Sequence, residues 1–447
     1  MSNILLVGAG RSSSSLIKYL SDNSAKEAWN ITVADVSMES AFQKTKGMLN
    51  CRAIQFDVND KEQRHTEIIH SDIVISMLPP DLHYLVAEDC VELKKNMVTA
   101  SYISEKIKSL DKGAQDAGII LLNEMGLDPG LDHLSAIKII NEIEENGGII
   151  LAFKSYTGGL IAPEYNDNPW GYKFTWNPRN VILAGQGTAK YIENNEYRYI
   201  PYNRLFMQTE LLNVEGYGLF EGYANRDSLS YRKPYGLENV PTILRGTLRN
   251  QGYCKAWNAL VQAGLTDDSY VIEDSEHLSY LQMMKAYLPP VINGETIEST
   301  FAKLIGEKHN SEVMQKVSWL GIFSDEIIGI PRATPAYILQ KLLERKWLLK
   351  PGDKDMIIMQ HQFEYVMEGK KKKLISTLVV KGDDEVYTAM AKTVGLPLGI
   401  ASKLILNNKI KEVGVQIPVF KDIYQPVLKE LEYHGIRFTE TAIDNIP

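Results

Sequence analysis

Across the first 125 residues, short apolar runs alternate with helical patterns, and no other feature constrains the fold as tightly. Strand-like runs fall at Ile4–Val7, Ile31–Ala34, Ala53–Phe56, Ile73–Ser76, Met97–Thr99 and Gly118–Leu122. Helical spacing separates them at Ser14–Leu20, Glu39–Met48, Glu62–His70, Leu82–Leu93 and Glu105–Ala117. Parallel neighbours need a crossover of this length, so the pattern predicts βαβ units and a parallel sheet. Six such strands match a doubly wound, Rossmann-type dinucleotide-binding domain.

The first strand-to-helix turn reads Val7-Gly8-Ala9-Gly10-Arg11-Ser12-Ser13. Gly8 and Gly10 take two places of the G-x-G-x-x-G pattern, and Ser13 takes the third. Gly10 would let backbone approach a pyrophosphate, whose charge the following helix N-terminus attracts. The alternative is a tight structural turn. The second strand ends on Asp35, followed by Val36, Ser37 and Met38 with no arginine. A carboxylate there accepts from ribose hydroxyls and repels a 2′-phosphate, so NAD is expected over NADP. Three further strand ends share this edge: Asp57-Val58, Ser76-Met77-Leu78 and Ala100-Ser101-Tyr102. Ser76 and Ser101 could equally be helix-capping residues.

The apolar run 119–122 delivers the chain into Asn123-Glu124-Met125-Gly126-Leu127-Asp128-Pro129-Gly130-Leu131-Asp132-His133. Gly126 and Gly130 permit tight backbone and Pro129 stiffens it. Glu124, Asp128 and Asp132 thus stand at the carboxyl end of a predicted parallel strand, where open α/β sheets bind ligands. Solvated acids in a linker are the alternative. His133 is expected to be a structural hydrogen-bonder.

A chain of 447 residues exceeds one ordinary core, so two or three domains are expected. Net charge of −8 argues against nucleic acid or an anionic membrane as partner. Cys51, Cys90 and Cys254 are scattered, without a CxxC pair, which fits a reducing compartment and no disulfide framework. The eight histidines form no recognisable ligand pair, so no metal is expected. The chain opens directly on a strand, without a targeting segment, and no apolar run approaches the roughly 20 residues that cross a bilayer. A soluble cytoplasmic protein is expected.

Beyond residue 148 the pattern changes. Ile149–Thr157 reads as a strand, followed by an irregular stretch, 158–187, in which Trp170, Tyr172, Phe174 and Trp176 need burial. A subunit partner, a nicotinamide or ordinary packing could supply it. Arg226 and Arg245 stand out as two-pronged carboxylate binders, against a simpler role in intramolecular ion pairs. From 256 to 347 only helical spacing remains, notably at His277–Tyr287, Ile297–Glu307, Glu312–Leu320 and Ala336–Lys346. Strands return at Asp355–Val366 and Lys373–Val380, then a helix at Tyr387–Leu406 and a helix–strand pair at Tyr424–His434 and Ile436–Thr439.

Several segments together resemble the glutamate-forming saccharopine dehydrogenases, also called saccharopine reductases. They are Val98-Thr99-Ala100-Ser101-Tyr102-Ile103-Ser104, Gly126 to His133, Ser155 to Glu164, Asn168 to Phe174, Asn225-Arg226-Asp227-Ser228, Arg245-Gly246-Thr247 and Ala391 to Pro397. The resemblance implies reversible cleavage of L-saccharopine by NAD(P)+ and water to L-glutamate and 2-aminoadipate semialdehyde, in lysine biosynthesis or degradation. It further implies a homodimer and three domains. These are a Rossmann domain (1–130 with about 388–447), an α+β substrate and dimerisation domain (131–255 with about 350–387) and an all-helical insert (about 256–349). By position, Ser101, Tyr102, Asp128, Arg226, Arg245, Gly246 and Thr247 match the family's saccharopine contacts. Gly8, Gly10, Arg11, Ser12, Ser13, Asp35, Val36, Asp57, Val58, Leu78, Ala100, Ser101, Leu127, Asp128, Pro129 and Trp176 match its cofactor region, to which the strand-end Ser76 is added.

Three departures stand out. Fungal NADP-using members carry arginine just after the second strand, where this chain has Asp35 like NAD-using animal members. Thr157 stands at a position where many members have cysteine, and Ala224 replaces a proline. Asp128 and Tyr102 are the candidates for proton transfer, with Asp128 as base or as holder of the substrate's positive charge. The alternatives are a carboxynorspermidine-dehydrogenase-like enzyme and a non-catalytic Rossmann-type interaction protein.

Overall fold

The computed structural model describes residues 1–291 and 294–444. They form two compact units, one made of 1–150 with 365–447 and the other of 151–364. The first part of the chain runs β1 (Ser2–Val7), α1 (Ser14–Glu27), β2 (Trp29–Asp35), α2 (Met38–Thr45), β3 (Cys51–Gln55), α3 (Lys61–Ile69), β4 (Ile73–Ser76), α4 (His83–Glu92), β5 (Asn96–Thr99), α5 (Glu105–Lys108), α6 (Asp111–Ala117), β6 (Ile120–Leu122) and α7 (Leu131–Glu145). The middle holds β7 (Ile149–Ile161), α8 (Pro178–Ile182), β8 (Thr188–Glu193), β9 (Glu196–Pro201), α9 (Tyr202–Leu205), β10 (Thr209–Val214), β11 (Gly218–Ala224) and β12 (Thr242–Asn250). Helices α10 (Tyr253–Gln262), α11 (Tyr280–Tyr287), α12 (Ile297–Leu304), α13 (Glu312–Trp319) and α14 (Pro335–Lys346) follow. The chain ends with β13 (Asp355–Met367), β14 (Lys370–Lys381), α15 (Ala389–Leu406), β15 (Gly414–Gln416), α16 (Lys421–Tyr433) and β16 (Thr439–Asp444).

All six predicted strands of the first unit form, and their order is that of a Rossmann sheet extended by one strand: β3-β2-β1-β4-β5-β6-β15, parallel throughout. The β1 and β4 side chains Leu5, Leu6, Val7, Ile73, Val74 and Ile75 are buried, as expected of central parallel strands covered on both faces. The seventh strand, β15, was not anticipated. It is three residues long, pairs with β6 and comes from near the end of the chain. The expected helix at 105–117 is split into α5 and α6 around Ser109 and Leu110.

Helix α15 meets α1 at close range. A Cβ on Gly395 would lie 2.8 Å from the Leu16 nitrogen, and one on Gly399 2.5 Å from the Tyr19 ring, so the two helices touch through glycine. By length and composition α15 could cross a bilayer, contrary to the expectation that no apolar run comes close. It is instead a core helix, with 72% of its span buried and α1, α7, β4 and β5 against it. The final strand, β16, pairs antiparallel with β14 and begins only at Thr439, the last residue of the predicted Ile436–Thr439.

In the second unit, β7 pairs parallel with β12, while β12–β11 and β11–β10 are antiparallel, so the sheet is mixed. The β8–β9 hairpin joins it at β12. Among the described residues no strand falls between Asn250 and Asp355, and the expected helices occupy that stretch. Of the four aromatics expected to need burial, three are resolved by ordinary packing, whereas Trp176 is half-buried. Trp170, Tyr172 and Phe174 are buried with Tyr253, Trp257 and Trp347. The Trp170 indole N–H donates to the Lys316 carbonyl at 2.9 Å. Beside them Lys173, 1% exposed at its side chain, is neutralised by Asp353 at 2.7 Å and Asp167 at 2.9 Å.

Candidate active site

The glycine turn is built by its neighbours. Gly8 has φ +105°, and a Cβ there would stand 2.7 Å from the Met77 carbonyl oxygen, so only glycine fits between the ends of β1 and β4. Gly10 differs: its φ is −69° and a Cβ would meet nothing within 4 Å. No intramolecular contact demands glycine there, which leaves an open cradle before α1. That helix has no side-chain cap and no acid in its first turn, which leaves its positive end able to attract an anion. These residues fit the pyrophosphate of a dinucleotide. Gly10→Ala is therefore expected to leave the melting temperature within about 1 °C of wild type and to weaken dinucleotide binding at least 10-fold, read by fluorescence titration.

Asp35 closes the same turn. Its carboxylate accepts from the Ala9 N–H at 2.7 Å and from the Ser37 N–H at 2.9 Å. Both oxygens thus serve the backbone. Val36, next in the chain, is 69% exposed. Asp57 is exposed and accepts from the Asn59 N–H, whereas Val58 is buried and its carbonyl accepts from Arg64. Arg11 is exposed, Ser12 half-buried, and Ser13 buried with its hydroxyl on the Gly10 carbonyl at 2.8 Å.

At the ends of β5 and β6 the acid-bearing turn sorts its three carboxylates into different duties. Glu124 is buried, accepts from the Ile103 N–H at 3.1 Å and lies 2.8 Å from His133 Nε2. Asp132, 1% exposed, accepts from the Gly130 N–H at 2.6 Å. Those two hold the turn, and His133 takes the structural part expected of it. Asp128 is half-buried and accepts from the Tyr102 hydroxyl at 3.3 Å. The turn is compact because Gly130, at φ +146°, packs so tightly on Gly126 that a Cβ would overlap it at 2.2 Å. Gly126 in turn leaves room for Ala100, and Leu127 and Pro129 are buried beneath. The first unit therefore brings Ala100, Ser101, Tyr102, Leu127, Asp128 and Pro129 into one neighbourhood. Leu78, half-buried, follows β4 on that carboxyl edge.

One residue there escaped the sequence analysis. His83, the first residue of α4, lies 2.8 Å from the Ser76 hydroxyl through Nδ1 and 2.7 Å from the Ser101 hydroxyl through Nε2. Burial pushes its imidazole down to about 4. No local pattern in the sequence marked it, since its partners Ser76 and Ser101 stand 7 and 18 residues away along the chain.

In the second unit Arg245 lies on β12, 5% exposed, with its guanidinium carbon 3.9 Å from the Tyr231 ring centre. Its own N–H donates to the Ser228 hydroxyl, and its carbonyl accepts from the Asn225 N–H, both at 2.8 Å. This joins the Arg226 segment to β12. Arg226 itself is exposed at φ +47°. Gly246 is required by the Tyr156 ring, which a Cβ would meet at 2.4 Å. Thr247 pairs across the sheet with Thr157, whose hydroxyl is buried with no hydrogen-bond partner among the described residues. Trp176 is half-buried in this unit.

Family comparison places these features in context. Residues 4–122 match the family model described as the saccharopine dehydrogenase NADP binding domain, and residues 126–436 match that of the saccharopine dehydrogenase C-terminal domain. The chain is 36% identical to a protein of Schizosaccharomyces pombe named saccharopine dehydrogenase [NADP(+), L-glutamate-forming], over 99% of this chain and 100% of that one. It is also 36% identical to the mitochondrial alpha-aminoadipic semialdehyde synthase of Bos taurus, covering 98% of this chain and 47% of the relative. Apo saccharopine dehydrogenase (L-Glu forming) from Saccharomyces cerevisiae superposes with a TM-score of 0.88 at 32% identity, over 99% of this chain and 100% of that one.

The comparison corrects the cofactor expectation. NAD was expected with NADP second, yet the matching domain and the fungal relatives carry NADP in their names. The physical reason is the engagement of Asp35: a carboxylate that accepts from Ala9 and Ser37 is a structural element of the turn, and its presence does not report on the ribose.

Proposed function

This chain belongs to the saccharopine dehydrogenase family, and from that premise we propose that it oxidises L-saccharopine with NADP+ and water to L-glutamate and 2-aminoadipate 6-semialdehyde, reversibly. It is an oxidoreductase of lysine metabolism acting on small molecules. The observation that carries the reading is the Tyr102–Asp128 pair, 3.3 Å apart at the carboxyl edge of the parallel sheet, the edge on which the glycine turn lies.

Within the first unit we assign Gly8, Gly10 to Ser13, Asp35, Val36, Asp57, Val58, Ser76, Leu78, Ala100, Ser101 and Leu127 to Pro129 to the cofactor's surroundings. When bound, NADP+ supplies a hydride acceptor for the carbon beside the substrate nitrogen. Asp128 faces the amine, taking its proton or holding its charge, while Tyr102 orients the carboxylate. Ser101 hydrogen-bonds the substrate. In the second unit Trp176 is assigned to the cofactor, and Arg226 and Arg245 bind carboxylates of saccharopine, with Gly246 and Thr247 beside them.

The deciding assay follows absorbance of the reduced nicotinamide with saccharopine and either NADP+ or NAD+. Saccharopine-dependent reduction with kcat/KM at least 10-fold higher for NADP+ is expected. No turnover removes the functional reading, and a preference for NAD+ removes the cofactor. We further propose a homodimer, checked by sedimentation, a cytoplasmic location, and a third, all-helical domain at about 256–349.

A further inference from the structure

The imidazole of His83 is enclosed by hydroxyls. Its side is reached by Ser76, fully buried, and by Thr99, 1% exposed, whose hydroxyls lie 2.8 Å and 3.4 Å from Nδ1. Nε2 lies 2.7 Å from the hydroxyl of Ser101, which is half-buried. Burial alone lowers the ring's proton affinity, with no charged group contributing, so the ring is neutral near pH 7 and offers one donor and one acceptor.

The surrounding bonds choose which nitrogen carries the proton. The Ser101 N–H donates to the Thr99 hydroxyl oxygen at 3.3 Å, so the Thr99 hydrogen must point elsewhere, and Nδ1 is the acceptor within reach. The Ser76 hydroxyl is fully buried and has no other hydrogen-bond partner among the described residues, so its hydrogen finds an acceptor only at that nitrogen. Two hydroxyl donors around Nδ1 make it the acceptor, which leaves the proton on Nε2. Nε2–H then donates to Ser101 Oγ, and the Ser101 hydrogen is turned outward. A hydroxyl that accepts such a bond is polarised into a better donor.

We propose that His83 is a positioning residue: as the Nε2–H tautomer it turns the Ser101 hydroxyl into a donor toward a carboxylate of saccharopine. The assignment rests on the proposed reaction, since saccharopine is rich in carboxylates. A simpler arrangement, in which His83 only ties the ends of β4 and β5 together, would use the same bonds and leave Ser101 without a directed role.

A double-mutant cycle separates the two. His83→Phe is expected to raise the saccharopine KM about 10-fold and change kcat less than 3-fold. His83→Gln, whose amide N–H can replace Nε2–H, should restore most of the loss. In a Ser101→Ala background the His83→Phe effect should shrink below 2-fold. An undiminished effect in that background, or none in the wild type, overturns the proposal. Nitrogen-15 spectra of the histidine-labelled wild type, assigned against His83→Gln, need no phenylalanine variant and no turnover. They should show the Nε2–H tautomer unchanged from pH 8 to 6, and the Nδ1–H tautomer overturns the proposal. Absence of saccharopine turnover by the wild type instead overturns the reaction itself.

Discussion

Arg226→Ala is expected to raise the saccharopine KM by about 100-fold while kcat stays within 3-fold. A charge-assisted bond to a carboxylate contributes about 1.5–3 kcal/mol, which is roughly 10- to 150-fold in binding. Arg226 is the cleaner of the two arginines to test because it is exposed, so its truncation leaves no cavity. Arg245 is buried against Tyr231, and its loss would mix stability with affinity. Steady-state kinetics with saccharopine varied and NADP+ saturating reads the effect. An unaltered KM excludes Arg226 as an anchor.

Asp128→Asn should lower kcat/KM for saccharopine by about 100-fold or more, in line with the ~10²–10⁴ that a positioned proton acceptor supplies. The change is nearly isosteric and keeps an oxygen for the Tyr102 hydroxyl, so it removes charge with little loss of geometry. The two duties of Asp128 divide between the constants. Loss of a base lowers kcat, whereas loss of a counter-charge raises KM. Unchanged kinetics would sink both.

How much of this was legible follows from which forces act locally. The βαβ sheet could be read because strands such as β1, β4 and β6 are apolar runs bounded by helical spacing, as burial on both faces demands. The helices of 253–346 were legible for the same periodic reason. Strands β8 to β12 were not, although Arg226 and Arg245 were singled out among them. Tyr197, Tyr199, Leu211 and Leu219 lie exposed there, and Gly218 and Gly222 interrupt the alternation. Strand β15 was too short to carry a pattern. In the acid turn, spacing exposed three equivalent carboxylates, and only geometry showed Glu124 committed to His133 and Asp132 to Gly130. His83 was hidden because its partners, Ser76 and Ser101, lie on different strand ends. Asp35 misled because the ribose rule reads a residue type and cannot see which donors it already serves.

The contact of α15 with α1 has a consequence for how the protein is made. The unit that carries the glycine turn is assembled from 1–150 and 365–447, with the middle of the chain emerging between its two parts. While a ribosome is still synthesising residues 151–364, α1 lacks the glycine-lined helix that covers Leu16 and Tyr19, and β6 lacks its neighbour β15. The nucleotide fold must therefore wait for α15 and β15, with an apolar helix face and an open sheet edge uncovered meanwhile. Synthesis order and folding order are opposed in this unit: residues 1–150 are completed only by a segment made more than two hundred residues later.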